Sequence, residues 1–230
     1  PVIRGLKTWS SCVQATCQSV CQTPPCCTQE NACRLAAACY RFLTFCSEHS
    51  QLRATRLTLI CHARTVAQKL ARFPTNEPLE MDWQSAQGSR SRQFKTSSRL
   101  LSAPELRARQ TAGLFGREVE TVEALRDCDF GRWCGAQIDD VHEAEPQALQ
   151  AWLQDADSAP HGGESVAALT CRVAAWLTAL EATPGHIVAV THPFVIRAAL
   201  TWALKSSAFN QIDVEPLSIV ELRFNGRWRF

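Results

Sequence analysis

The stretch Thr55–Val66, TRLTLICHARTV, decides the fold: an apolar, β-branched run ends on Cys61, then His62 and a polar turn, Ala63-Arg64-Thr65, follow at once. Such a run predicts a strand over Arg56–Cys61. The pattern recurs at Ser98–Ser102 and at HIVAVT, whose strand over Ile187–Thr191 also ends on a histidine, His192. Helices are predicted at Ala103–Phe115, Pro146–Leu153, Glu164–Ala182 and Pro193–Leu204. Near the end, SIVELRF and RWRF flank Asn225-Gly226, the strongest short hairpin signal. Strands alternating with amphipathic segments predict an α/β domain over residues 55–230, a three-layer α/β/α sandwich with a mostly parallel central sheet. Sites in such a sheet belong at the carboxyl ends of the strands.

The chain's 230 residues suffice for one well-buried domain, and 46% hydrophobic with 20% charged residues is the composition of a globular protein. A formal net charge of +2 is too small to draw in nucleic acid or a membrane surface, so neither is expected as a partner. No apolar run approaches the roughly 20 residues of a spanning helix, the beginning of the chain lacks a secretory pattern, and the cytoplasm is the expected location. Eight of the twelve cysteines lie before residue 47. Residues 1–54 are therefore read as a cysteine-rich, poorly ordered extension with one candidate helix in ENACRLAAACYRFLTFC. With Met81 the only methionine, this extension need not belong to the native product. A disulfide or metal module is the alternative, although no C-x-x-C pair is present.

His62 and His192 occupy equivalent places at two strand ends. Pro193 suits the first turn of a helix, so His192 sits near free backbone N–H groups at a natural anion site. Between the two, LLSAPELRARQTAGLFG places Arg107 and Arg109 in the first turns of a helix. Arginine there is unfavourable unless an anion is near, which points Arg107 toward a phosphate or carboxylate.

On these residues the chain resembles the histidine phosphatase superfamily, the phosphoglycerate-mutase-like enzymes, over about residues 56–204. The family's Arg-His-Gly-x-Thr motif, with Asn three residues beyond the Thr, is matched by Cys61-His62-Ala63-Arg64-Thr65 and Gln68. Its Ser-x-x-x-x-Arg-Ala-x-x-Thr-Ala motif is kept as Ser102, Arg107-Ala108 and Thr111-Ala112. Leu125-Arg126-Asp127, followed by Gly131, Trp133 and Gly135, fits the Leu-x-Glu-x-x-x-Gly-x-Trp-x-Gly segment with Asp at the acid position. GGESVAALTCRV and VTHPFVIRAAL resemble the remaining two, with Pro193 for Gly.

The resemblance implies a phosphomonoester hydrolase acting on a small phosphorylated metabolite. In it His62 attacks phosphorus, Arg107, Arg64, Gln68 and His192 hold the phosphate, and Asp127 handles the leaving oxygen's proton. Trp133, His161 and Glu164 would lie on the substrate side, although a solvated loop is the plainer reading of His161. No metal and no cofactor is expected. LRDCDFGRWCG and PHGGES resemble small bacterial α-ribazole phosphatases, which suggests α-ribazole phosphate and the cobalamin pathway. A homodimer is an open alternative for assembly, and a catalytically weak regulatory protein that binds phosphorylated ligands is the alternative function.

Cys61 stands where the family has arginine. One charge-assisted bond contributes about 1.5–3 kcal/mol, so its loss corresponds to roughly tenfold to a few hundredfold in rate. Arg64 is the expected replacement, ahead of Arg72. Two rivals fall on the sequence. A cysteine phosphatase would need arginine at position 67, which is Ala67, and a serine hydrolase built on Ser165 lacks a strand before GGESVA.

Overall fold

The structure, a computed structural model, describes residues 54–230; what was read for the cysteine-rich segment before them lies outside the described residues. The strands are β1 (Thr55–Cys61), β2 (Arg99–Ser102), β3 (Glu120–Thr121), β4 (Gly185–Thr191), β5 (Ile219–Phe224) and β6 (Trp228–Arg229). The helices are α1 (Val66–Lys69), α2 (Leu106–Gly113), α3 (Ile138–Ala144), α4 (Pro146–Gln154), α5 (Val166–Leu180) and α6 (Pro193–Leu204). One mixed sheet runs in the order β3-β2-β4-β1-β5-β6. The first four strands pair parallel, and the late hairpin adds two antiparallel strands beside β1. The α/β sandwich expected from the sequence is the fold of the chain.

β1 is central because it can be: every residue except Arg56 is buried, as a strand covered on both faces requires. After β1 the chain crosses to β2, and after β4 it crosses to β5 on the far side of β1. Chain paths that part in this way open a crevice at the strand ends, a topological switch point. α6 spans the residues expected of it, with Pro193 at its first position and Lys205 closing it in the left-handed conformation.

Two helices start later than expected. Ala103 N–H still donates to Val190 O, which extends the sheet past β2. α2 therefore opens only at Leu106, whose N–H donates to Asn76 Oδ1. α5 opens at Val166 because Ser165 is its cap, accepting from Ala168 N–H at 3.1 Å. That bond gives Ser165 a structural role. Three elements are not evident in the sequence: the one-turn α1, the seven-residue α3 and the two-residue β3. α1 is held by a capping box between Thr65 and Gln68. Among the described residues no helix is long and apolar enough to cross a membrane.

The loop carrying Asp127 packs on the one before α5 with backbone against backbone. Glu164 N–H donates to Asp129 O, and Arg132 N–H donates to His161 O. A Cβ on Gly163 would overlap Asp129 O, and one on Gly131 would overlap His161 O. Gly163→Ala must therefore push the loops apart and is expected to cost about 1–3 kcal/mol, the scale of overpacking, as a lowered urea midpoint with an unchanged m-value.

Candidate functional site

The β1–β4 register sets Cys61 opposite Thr191, so the next residues, His62 and His192, emerge side by side. Their ring centroids are 5.2 Å apart. Both are buried, as are Arg107 and Asp127. Sequence and structure agree on these four as neighbours.

His62 is oriented by its own turn. Its Nδ1 lies 2.8 Å from Ala63 O, and because a carbonyl only accepts, Nδ1 carries the proton and Nε2 keeps its lone pair. The turn is fixed in its place by Thr111, whose Oγ1 accepts from Ala63 N–H and donates to Arg107 O. Burial, helped by the neighbouring His192, lowers the His62 pKa to about 3, so the imidazole is neutral at ordinary pH. His62 lines a cavity of about 350 Å³ that Asp127 also lines.

Arg107 is held by carboxylate and carbonyl. Its guanidinium donates to Asp127 Oδ2 at 2.6 Å and to Thr75 O at 2.5 Å, and lies 3.8 Å from Glu77. Asp127 also accepts from Cys128 N–H. Burial pushes the Asp127 carboxyl up, but His192 and Arg107 outweigh it and hold the group below its usual value. His192 Nδ1 lies 3.4 Å from Asp127 Oδ2, and its Nε2 donates to Glu105 Oε2 at 2.8 Å.

Glu105 is the participant that the sequence reading missed. It sits just before α2, accepts from His192 and, through its other oxygen, from Asp127 N–H at 3.0 Å. Burial opposes its ionisation, yet the hydrogen bond with His192 brings its pKa down to about 2. In sequence a glutamate there reads as an ordinary helix-start residue. Its proximity to His192, 87 positions away, was the only signal, and it is a tertiary one.

Four expectations are corrected. Arg64 is exposed and does not line the cavity, because the capping box of α1 sets Thr65 inward and turns its predecessor out; Arg72 and Arg197 line it instead. His161 is neither on the cavity surface nor solvated: it is buried, 4.9 Å from Trp133 and 6.0 Å from Trp152 by ring centroids, with Nδ1 accepting from Gly163 N–H. Trp133 is buried behind the cavity wall against Phe73, not on its surface. Glu164 does not face the cavity either. It binds Arg126 and Arg172, and Arg172 in turn donates to the carbonyls of Ala124, Arg126 and Asp127. That cluster fixes the backbone under Asp127. Gln68 does line the cavity, with its side-chain oxygen committed to Thr65 N–H.

Cys61 is fully buried, and burial, with Asp127 adding to it, pushes its thiol up to about 12. It is no nucleophile at neutral pH.

Residues 57–229 match the model of the histidine phosphatase superfamily (branch 1). The chain belongs to that superfamily. Among curated proteins it is 28% identical to the bifunctional protein Rv2228c of Mycobacterium tuberculosis, over 75% of this chain and 51% of that protein. The chain thus spans about half the length of the curated relatives it matches. Among solved structures it is similar to mycobacterial hydrolase 1, at 25% identity and a TM-score of 0.66 over 77% of this chain and 96% of that one. It is also similar to a mycobacterial glucosyl-3-phosphoglycerate phosphatase in complex with VO3, at 26% identity and a TM-score of 0.64 over 76% and 96% of the two chains.

The lowered pKa of His62 carries a sign for stability. Below pH 6.5 the unfolded chain binds a proton at this position that the native chain refuses, so stability falls as pH drops from 6.5 toward 3. Between pH 7.5 and 5.5 the parent is expected to lose about 1 kcal/mol more than His62→Asn, measured by urea unfolding at both values.

Proposed function

We propose that the chain is a phosphomonoester hydrolase that works through a phosphohistidine on His62 and acts on a small phosphorylated metabolite. The observation that carries this reading is a neutral imidazole with Nδ1 tied to Ala63 O and Nε2 free beside a buried arginine, histidine and carboxylate.

In the proposed reaction the phosphate dianion enters between His62 and Arg107 and draws the guanidinium away from Asp127. Two anions then share one cation, which raises the Asp127 pKa and lets the carboxyl take up a proton. His62 Nε2 attacks phosphorus, the P–O bond to the alcohol breaks, and Asp127 passes its proton to the leaving oxygen. The imidazolium that forms keeps its Nδ1–H on Ala63 O. Water then attacks phosphorus, Asp127 takes the water proton, and the N–P bond breaks to release phosphate. Arg107 and His192 stabilise the equatorial charge in both steps. Glu105 positions His192 and Asp127 without touching the substrate. Resemblance of the LRDCDFGRWCG and PHGGES segments to α-ribazole phosphatases makes α-ribazole phosphate the candidate metabolite.

A second reading, a regulatory protein that binds phosphorylated ligands and turns them over poorly, is favoured by Cys61 at the arginine position and by the engagement of Arg107 with Asp127. Hydrolysis of an aryl phosphate separates the two. The first reading expects turnover that His62→Ala abolishes and that Cys61→Arg raises by about tenfold or more. Phosphate binding without turnover in both parent and Cys61→Arg would overturn it and leave the regulatory reading.

A further inference from the structure

The cavity that His62 lines is walled by aromatic and aliphatic side chains: Phe73, Phe130, Leu149, Trp152, Leu153 and Phe194. The rings interlock. Phe130 meets Phe194 edge to face at 5.3 Å, and Trp152 stacks on Phe194 at 5.8 Å with only 18° between planes. Behind them Phe73 packs on Trp133 at 5.4 Å, and Trp133 packs on His161. A wall supported in this way keeps its shape, and its hydrophobic surface persists.

Part of its polar lining is spent on the protein itself, while the guanidinium groups of Arg72 and Arg197 and one oxygen of Glu77 stay without a hydrogen-bond partner among the described residues. Gln68 accepts from Thr65 N–H, Asn210 donates its amide to Leu153 O, and Glu77 accepts from Thr75 N–H and Oγ1. Arg197 lies over the Phe194 ring at 5.4 Å, where its planar guanidinium extends the stacking surface. A polyhydroxylated or zwitterionic alcohol with no apolar body would find partners mainly at Arg72, Arg197 and Glu77 and would shed water along the rest of the wall, at a cost for each unpaired polar group. A flat, apolar body would gain by burial and ring contact.

We propose that the substrate's alcohol carries an aromatic or apolar body that lodges against Trp152 and Phe194, which set selectivity. This rests on the reading of His62 as the site of phosphoryl transfer. The cavity, at the small end of ligand pockets, suits one such body.

The test uses the full chain and three esters of primary alcohols, so that leaving-group chemistry is matched: phenylethyl phosphate, naphthylethyl phosphate and glycerol 3-phosphate. The aryl esters are expected to have kcat/KM higher by about tenfold or more, and Trp152→Leu is expected to reduce that ratio by about tenfold. Equal or reversed preference in the parent, or a Trp152→Leu variant that slows all three alike, overturns the proposal. Binding of phenylethyl phosphonate against methyl phosphonate reads the cavity without turnover. If no ester is hydrolysed, the proposed function falls where an aryl phosphate also resists both the parent and Cys61→Arg. The phosphonates then decide the cavity alone: about tenfold tighter binding of the aryl compound upholds the preference, and equal binding overturns it.

Discussion

Parallel pairing of β1 with β4, in the register that sets Cys61 opposite Thr191, is the constraint on which the rest depends. Each strand ends one residue before a histidine, so the sheet's hydrogen bonds fix the two rings at its edge as firmly as they fix the strands. His62 N–H itself donates to Thr191 O at 2.9 Å, the last rung of that ladder. A slip of one residue would separate the rings and turn one of the two into the core. The apolar runs on both strands make such a slip costly, because nearly all of their side chains are buried.

Around this pair the chain buries Arg107 and Asp127 and half-buries Glu105. Removing charges from water is expensive, and the expense is offset here only because each has a partner: Asp127 lies on Arg107, and Glu105 lies on His192. Taking away one partner strands the other in a poorly solvated place. The same pairing engages the cation that an incoming phosphate would have to claim in the proposed reaction. Thr111 joins the two halves through one hydroxyl, bonded to the His62 turn on one side and the Arg107 carbonyl on the other.

Much of this was legible in the sequence, because strand-end histidines and an arginine at a helix start are local signals with a local physical cause. His62, Arg107 and His192 stand out in that way, Asp127 only through the resemblance of its segment to the family motif, and α6 spans the residues expected of it. What escaped was what depends on contacts between distant segments. Glu105 reads as a helix-start residue until His192 is brought to it. His161 lies in a loop of prolines and glycines and reads as solvated. It is buried because the Gly131 and Gly163 contacts close that loop over Trp133 and Trp152. Arg64 was favoured over Arg72 by sequence distance, whereas direction is set by the capping box that follows it. Arg197, five residues past His192, was read only as the end of a motif, yet it lines the cavity.

The chemistry proposed for this site requires His62 to be a neutral imidazole with its proton on Nδ1. Nitrogen-15 NMR of the full chain, with the His62 signals assigned by their loss in His62→Asn, reads tautomer and charge directly. An Nδ1–H resonance, an unprotonated Nε2, and no titration of this ring between pH 5 and 8 are expected. A proton on Nε2, or a titration midpoint near the ordinary histidine value of about 6.5, would contradict that chemistry.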